Sequence, residues 1–151
     1  MKIAEVVSRK GAMFETITQG MPLSWAIEVM HRKSIGSLGI VGNKAGEIVG
    51  MISQQELMAA LVSHGAAALT KPAAAIMRKP PLFCSPGDGA MEVLRMMTRE
   101  RCRHVIVLSV TGTVAGLISL GDLVAALLNQ ATLEAGVLRD MARSHLLDTA
   151  R

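Results

Sequence analysis

The pattern of hydrophobic and polar positions occurs twice along the 151-residue chain. The stretch GEIVGMISQQELMAAL, from Gly46 to Leu61, aligns with GTVAGLISLGDLVAAL, from Gly112 to Leu127, at a constant offset of 66 residues. Upstream, residues 26–41 align with residues 93–108 at an offset of 67. Because self-similarity at a fixed period marks a repeated structural unit, the sequence predicts two halves with one plan.

Each half predicts a helix, two strands and a second helix. Apolar residues at helical spacing mark the first helix, and a turn rich in glycine and polar residues separates the two strands. A short extended piece precedes each unit, at 14–18 and at 81–85, so the fold class is α+β, built twice. In chain order the segments are PLSWAIEVMHRK, SLGIV, IVGMIS and QQELMAALV, then GAMEVLRMMTRE, HVIVL, VAGLIS and LGDLVAALLNQ.

The repeat divides the chain into a first repeat at 2–63, a linker at 64–72, a second repeat at 73–130 and a C-terminal amphipathic helix at 131–151. A unit of about 60 residues buries too little surface to be stable alone. We therefore expect the two small sheets to pack together, each covering the apolar face of the other. The apolar stripe of the final helix could dock on its own domain or on a second subunit.

Composition favours a globular domain with an aliphatic core and argues against several kinds of partner. Half of the residues are hydrophobic and 19% are charged, whereas only Phe14, Trp25 and Phe83 are aromatic. The net charge of +4 is compatible with anionic partners. Because the basic residues are scattered and aromatic rings for base stacking are scarce, we do not expect nucleic-acid binding.

The cysteines and the apolar runs predict a cytoplasmic protein. Cys84 and Cys102 are too few and too far apart for a disulfide framework or a CxxC motif. No apolar run reaches the about 20 residues that span a bilayer, and the N-terminus lacks the apolar core of a secretory signal. Neither a metal-ligand spacing nor a nucleophile–base pair nor a glycine-rich phosphate loop is present, so we expect no metal site and no enzyme.

Two residues at the start of the last repeated helix are candidates for chemistry. Ser119 can cap that helix, and Asp122 favours its positive end, as in a capping box. Free backbone N–H groups and a hydroxyl at a helix start also suit a phosphate, and a carboxylate can accept two hydrogen bonds from a ribose. In the first repeat, Ser53 and Glu56 fit the capping explanation even better.

The repeated unit resembles a CBS domain. Two copies of a helix–strand–strand–helix unit, each closing with glycine, a hydrophobic residue, Ile-Ser, two residues and an acid, resemble the tandem pair called a Bateman module, over about residues 2 to 130. Since no catalytic domain flanks the pair, the chain looks like a stand-alone CBS-pair protein. The resemblance implies a regulatory module that binds an adenosine-containing ligand, such as AMP, ADP, ATP or S-adenosylmethionine, in a cleft between the repeats.

The resemblance also assigns ligand contacts. In the family, the residues matching Ser119 and Asp122 contact the ligand, with the carboxylate on the ribose hydroxyls. Arg103 and His104 match positions that point basic groups at ligand phosphates. Alternatively, Arg103 is simply exposed and His104 caps the end of the preceding helix.

The extended entry strands carry the remaining candidates. In the family, this backbone borders the adenine, which adds Cys84 and Ser85 in the second repeat and Thr16 and Thr18 in the first. The alternatives are an edge strand with hydroxyls facing solvent and, for Cys84, a small buried hydrophobe. Gly116 permits a close backbone approach within its strand.

The two repeats differ in ways that predict unequal sites. Glu56 stands where the second repeat has aspartate, and Gly36 and Ser37 stand where it has the basic pair. We expect the cleft of Ser119 to bind ligand and the cleft of Ser53, with its neighbouring entry strand, to bind weakly or not at all. No cofactor is expected to be required.

Two functions remain open from the sequence. The first is a ligand sensor that forms a homodimer and passes its state to a separate effector protein. The alternative is a structural or oligomerisation module whose clefts bind nothing and whose final helix is the docking surface.

Overall fold

Two three-stranded sheets, each with its own helices, make up the protein in a computed structural model that describes residues 1–11 and 14–149, with side chains up to residue 146. The chain begins with the N-terminal helix α1 (Ile3–Lys10). The first half then consists of β1 (Thr16–Thr18), α2 (Leu23–Lys33), β2 (Ser37–Val41), β3 (Ile48–Ser53) and α3 (Gln54–His64). The second runs α4 (Ala73–Ile76), β4 (Phe83–Cys84), α5 (Ala90–Arg99), β5 (His104–Leu108), β6 (Val114–Ser119) and α6 (Leu120–Thr149).

The sheets have identical topology. In each, the short entry strand pairs in parallel with the middle strand, and the middle strand forms an antiparallel hairpin with the third. Glycines with positive φ, Gly46 at 77° and Gly112 at 78°, turn the two hairpins. Equivalent left-handed residues, Ser34 at φ 54° and Arg101 at φ 50°, follow the first helix of each half. The predicted α+β repeat is therefore confirmed down to single backbone dihedrals.

The core consists of two clusters, and each contains strands of one sheet only among the described residues. In β5, Val105 and Val107 pack in one cluster with residues of α1, α5 and α6, so helices cover this face of the strand. The alternate residue Ile106 points the other way and is also fully buried. Both faces of the strand are therefore covered.

Helix α1 belongs to the core of the second half, although it comes first in the chain. Ile3 and Val6 are buried in the same cluster as the residues of β5 and α5. The Ile3 N–H donates to the Asp88 carbonyl at 3.0 Å, which ties the start of α1 to the loop before α5. In the same way Ala73 of α4 packs in the first half. The sequence analysis did not predict α1.

The segment from 64 to 72, which we expected to be a linker, contains an ordered 3-10 helix, Gly65–Thr70. Ala68 is fully buried in the core of the first half, and this contact holds the connection against the domain.

The C-terminal helix is present, but it is not a separate element. Helix α6 runs without a break from Leu120 to Thr149, so the boundary that we placed at residue 130 falls inside a helix. Gly136 does not end it, because one glycine in a helix interior costs only about 1 kcal/mol. The last two residues of the predicted segment lie outside the described ones. None of the described helices is long and apolar enough to cross a membrane.

Candidate functional site

A cavity of about 380 Å³ lies between the two halves. The end of α2 and the start of β2 form one wall, β5 and β6 form another, and the end of α1 and the entry to β1 close it. The lining residues are Lys10, Glu15, Lys33, Ser34, Ile35, Gly36, Ser37, His104, Leu117 and Ser119. The volume is within the range of cavities that hold small molecules.

Two residues that line this cavity each carry a buried polar atom without a hydrogen-bond partner in the part of the chain that the structure describes. These atoms are Ser37 Oγ and His104 Nδ1, which come from equivalent positions of the two repeats. Ser37 is only 2% exposed. Most buried polar groups in proteins are paired, and an unpaired one costs about 1–3 kcal/mol. Both residues line the cavity, so its wall includes two polar side chains whose buried atoms have no partner among the described residues.

Ser119 and Asp122 form the predicted capping box at the start of α6. Asp122 Oδ2 accepts from the Ser119 N–H at 2.7 Å, and the Asp122 N–H donates to Ser119 Oγ at 3.1 Å. Lys10 Nζ lies 2.6 Å from the same Oδ2 atom and donates to the Leu117 carbonyl at 3.1 Å. Asp122 thus holds the ammonium group of Lys10 at the edge of the cavity.

The pKa of Asp122 reflects these contacts. Burial acts to raise it, but the hydrogen bonds from Lys10 and Ser119 together outweigh burial and hold the pKa below its usual value. Asp122 is therefore ionised at neutral pH, and Lys10 has a fixed negative partner.

The equivalent position in the first half is closed by main chain. The Met51 carbonyl, the counterpart of the Leu117 carbonyl, accepts from the Arg78 N–H at 2.8 Å. Met77 packs so closely over Gly50 that any side chain there would collide with its sulfur. No lysine side chain takes the place of Lys10, because the backbone after α4 occupies it.

Ser53 and Glu56 make a self-contained cap. Glu56 Oε2 accepts from the Ser53 N–H at 2.8 Å and from Ser53 Oγ at 2.5 Å, and Ser53 Oγ also accepts from the Gln55 N–H at 3.3 Å. These bonds satisfy the helix start in the way that capping predicts. Neither residue lines the cavity of about 380 Å³, but Ser53 and Ser119 both line a neighbouring cavity of about 460 Å³.

The adjacent residues His104 and Arg103 differ in the cavities that they line. His104 begins β5 and does not cap α5, which removes that alternative. Its ring lines the main cavity and also a neighbouring cavity of about 460 Å³ between the starts of α3 and α6. Arg103 is exposed and lines only the second of these two cavities. The structure thus brings His104, but not Arg103, to the main cavity with Ser119.

Burial, followed by the charge of Lys10, lowers the pKa of His104, and Arg103 acts in the same direction; Glu56 and Asp122 act in the opposite direction. The folded protein therefore binds this proton less readily than the unfolded chain, whose histidine titrates near 6.5. We expect the contribution of His104 to stability to be complete above pH 6.5 and to fall below it, by at most about 1.4 kcal/mol per pH unit.

Urea denaturation of the wild type and of His104→Gln between pH 5 and 8 checks this expectation. The difference in unfolding free energy between the two proteins should change most with pH below pH 6.5. A difference that does not vary with pH would contradict it.

The remaining predicted residues lie away from the cavity. Thr16 and Thr18 are exposed on β1. The residue before them, Glu15, lines the cavity of about 380 Å³, to which Ser119 but not Ser53 contributes. Ser85 is exposed, and its N–H donates to Asp88 Oδ2 at 2.8 Å.

Cys84 lies in the core of the second half, where burial, with a smaller effect of Asp88, raises the pKa of its thiol to about 12. It packs as a small hydrophobe there. Gly116 permits the close approach of α1, because an added Cβ would lie 3.3 Å from Val7 Cγ1. Among the described residues, no group of three histidine, cysteine or acidic side chains could hold a metal ion.

Sequence reasoning missed Lys10, Lys33 and Ser37. Lys10 was counted only among the scattered basic residues, and Ser37 was noted only for the absence of a basic residue. The repeat itself held the signal for Ser37, because it aligns with His104 across the two halves. No local pattern could place Lys10 beside Asp122, which is 112 residues away.

Comparison with known proteins identifies the repeat. The CBS domain family matches residues 4–63 and 73–129. A CBS-domain protein of Agrobacterium tumefaciens is 28% identical, with a TM-score of 0.79 over 83% of this chain and 98% of its own. A search of curated proteins finds no match.

Two solved structures with bound ligands share the fold. A CBS domain protein of Pyrobaculum aerophilum, complexed with AMP, is 20% identical, with a TM-score of 0.74 over 87% of this chain and 99% of its own. The CBS domain pair of protein MJ0100, in complex with 5′-methylthioadenosine and S-adenosyl-L-methionine, is 16% identical, with a TM-score of 0.71 over 86% and 98%.

Two matched repeats, a shared hairpin topology and a cavity between the halves all lead to one assignment. The chain belongs to the CBS-domain family, and its two repeats form a CBS pair.

Proposed function

We propose that this CBS pair senses an adenosine-containing ligand in the cavity between its halves and transmits the bound state to an effector protein. The observation that carries the proposal is the pair of unpartnered buried atoms, Ser37 Oγ and His104 Nδ1, on the cavity wall. A ligand rich in donors and acceptors, such as a nucleotide, would satisfy both. Removing the cost of two unpaired atoms would favour binding.

The charge of the cavity supports an anionic or nucleotide-like ligand. Lys10 and Lys33 both line it, and Glu15 lies 3.3 Å from Lys33 Nζ, which offsets one of the two positive charges. Asp122, 2.6 Å from Lys10 Nζ, offsets the other, so Lys10 offers a phosphate an ammonium donor that its acidic partner holds at the cavity. Asp122 acts through Lys10 in this proposal, as a positioning residue, and it reaches a ribose directly only if Lys10 moves away.

Relatives of the same fold support the class of ligand. One was solved with AMP and another with 5′-methylthioadenosine and S-adenosyl-L-methionine. CBS-domain proteins are generally regulatory, so we assign a regulatory and not a catalytic role, in the cytoplasm. The repeats bind unequally in this proposal, because main chain occupies near Ser53 the position that the Lys10 side chain takes near Ser119.

A thermal-shift panel of AMP, ADP, ATP and S-adenosylmethionine tests the proposal. A ligand present at 100 times its dissociation constant should add about 2.7 kcal/mol to the unfolding free energy. At least one member of the panel should raise the melting temperature of the wild type. Failure of all four would favour the structural module with empty clefts.

Ser37→Ala provides a variant with two opposite expected effects. Because the hydroxyl has no partner, its removal should leave the free protein as stable as the wild type or more stable by up to about 1 kcal/mol. The same change should lower the affinity for the ligand by about tenfold, the effect of one lost hydrogen bond. Ser109→Ala, in the exposed turn between β5 and β6, is the control, and its ligand affinity should not change. If Ser37→Ala destabilised the free protein and left binding unaltered, the hydroxyl would be structural.

A further inference from the structure

The second part of α6 projects from the protein. From residue 131 to residue 146 every side chain is exposed, and only Gly136 is half-buried. A stretch of 20 residues spans about 30 Å as a helix, and isolated helices of this length are marginal in water. It nevertheless carries large apolar residues, including Leu133 and Leu138, that are 68% and 66% exposed. This combination indicates that something outside the chain covers one face.

Three of the large exposed apolar residues of α6, together with three alanines, follow a coiled-coil spacing, whereas Leu133, Val137, Met141 and Leu146 lie off it. Intervals of four, three, four, three and four residues separate the members of one face, which we call the seam: Val124, Leu128, Ala131, Ala135, Leu138 and Ala142. Such a spacing, averaging 3.5 residues, keeps one stripe facing a partner helix along its length. The two large residues Leu128 and Leu138 are 64% and 66% exposed, and the alanines between them allow two helices to approach closely. The seam therefore fits another helix.

The charges beside the seam identify that helix. With Leu128 and Ala135 at position a of the heptad, Glu134 falls at position g and Arg139 at position e. In a parallel two-stranded coiled coil, a g residue meets the e residue five positions later on the other helix. Glu134 of one copy then meets Arg139 of the other, twice by symmetry. In an antiparallel pair, g positions meet g positions and e positions meet e positions, so Glu134 and Arg139 would not pair.

We propose that residues 124–142 of α6 form a parallel coiled coil with a second copy of this chain. The two CBS pairs then lie at the same end of a two-helix stalk. No seam residue lines the cavity that contains Ser37, and the proposal does not depend on the identity of the ligand.

Light scattering of the full chain after size exclusion tests the interface. The wild type should have about twice the 16.0 kDa chain mass. Leu138→Glu, which puts a charge into the seam, should give a single-chain mass. Leu133→Glu is the matched control, because it changes the same residue type, at nearly equal exposure, on the other side of the same helix. It should remain dimeric.

Charge reversal and cross-linking test the orientation. Glu134→Lys should raise the dimer dissociation constant, and the double change Glu134→Lys with Arg139→Glu should restore it. Residues five apart do not face each other on one helix, so the rescue requires two chains. Ala142→Cys should form a disulfide-linked dimer on mild oxidation, since equal a positions meet only in a parallel pair.

A monomeric wild type would overturn the proposal, as would a Leu138→Glu protein that stays dimeric. Loss of the dimer in Leu133→Glu but not in Leu138→Glu would assign the interface to the opposite face. Absence of the Ala142→Cys cross-link in a dimeric protein would overturn the parallel arrangement.

Discussion

Replacing Lys10 by glutamate should lower the affinity for AMP by about 100-fold, or about 3 kcal/mol. In the wild type, Lys10 lies at the cavity between Asp122 and the Leu117 carbonyl and offers an ammonium donor to a phosphate. Glutamate at this position would place a second carboxylate beside Asp122 and repel a phosphate. Calorimetric titration with AMP measures the loss.

Two controls separate this effect from general changes of charge and folding. Lys44→Glu changes the net charge by the same amount in an exposed turn and should leave AMP affinity within about twofold, because distant exposed charges are screened by salt. Adenosine, which lacks the phosphate, should lose much less affinity for Lys10→Glu than AMP does. Equal losses for adenosine and AMP would mean that Lys10 does not act on the phosphate.

Ile3→Ala should destabilise the protein by about 2–5 kcal/mol, the usual cost of such a truncation in a core. Ile3 comes near the start of the chain, where single substitutions often have little effect, yet it is fully buried among residues of the second half. The loss should appear as a lower urea midpoint with a similar slope. Val110→Ala, at a fully exposed valine, should change stability by less than about 0.5 kcal/mol. A small effect of Ile3→Ala would mean that α1 does not complete the second core.

The repeat made most of the fold predictable. Alignment of the two halves turned short ambiguous apolar runs into paired observations, and the strands, the hairpins and the helices that flank them followed from it. Helix α1 was not predictable in this way, because Ile3 and Val6 are buried by contacts with residues more than 75 positions away. Local periodicity gives no information about such contacts.

The candidate site was predictable in part. The capping geometry of Ser119 and Asp122 followed from their spacing alone, and the hydrogen bonds agree with it. The contact between Lys10 and Asp122 could not be predicted from the sequence, because it depends on where α1 packs. Ser37 was missed for a different reason: a serine in a buried strand has no local signature, and its missing partner is visible only once the cavity is formed.

Calorimetric titration of the wild type with the four adenosine-containing ligands tests the central claim most directly. We predict that at least one of them binds with a stoichiometry of one per chain, at the side of Ser119, and that Ser37→Ala weakens it. Binding of none of the four would contradict the proposed function. Two equivalent sites per chain would contradict the proposed inequality of the repeats.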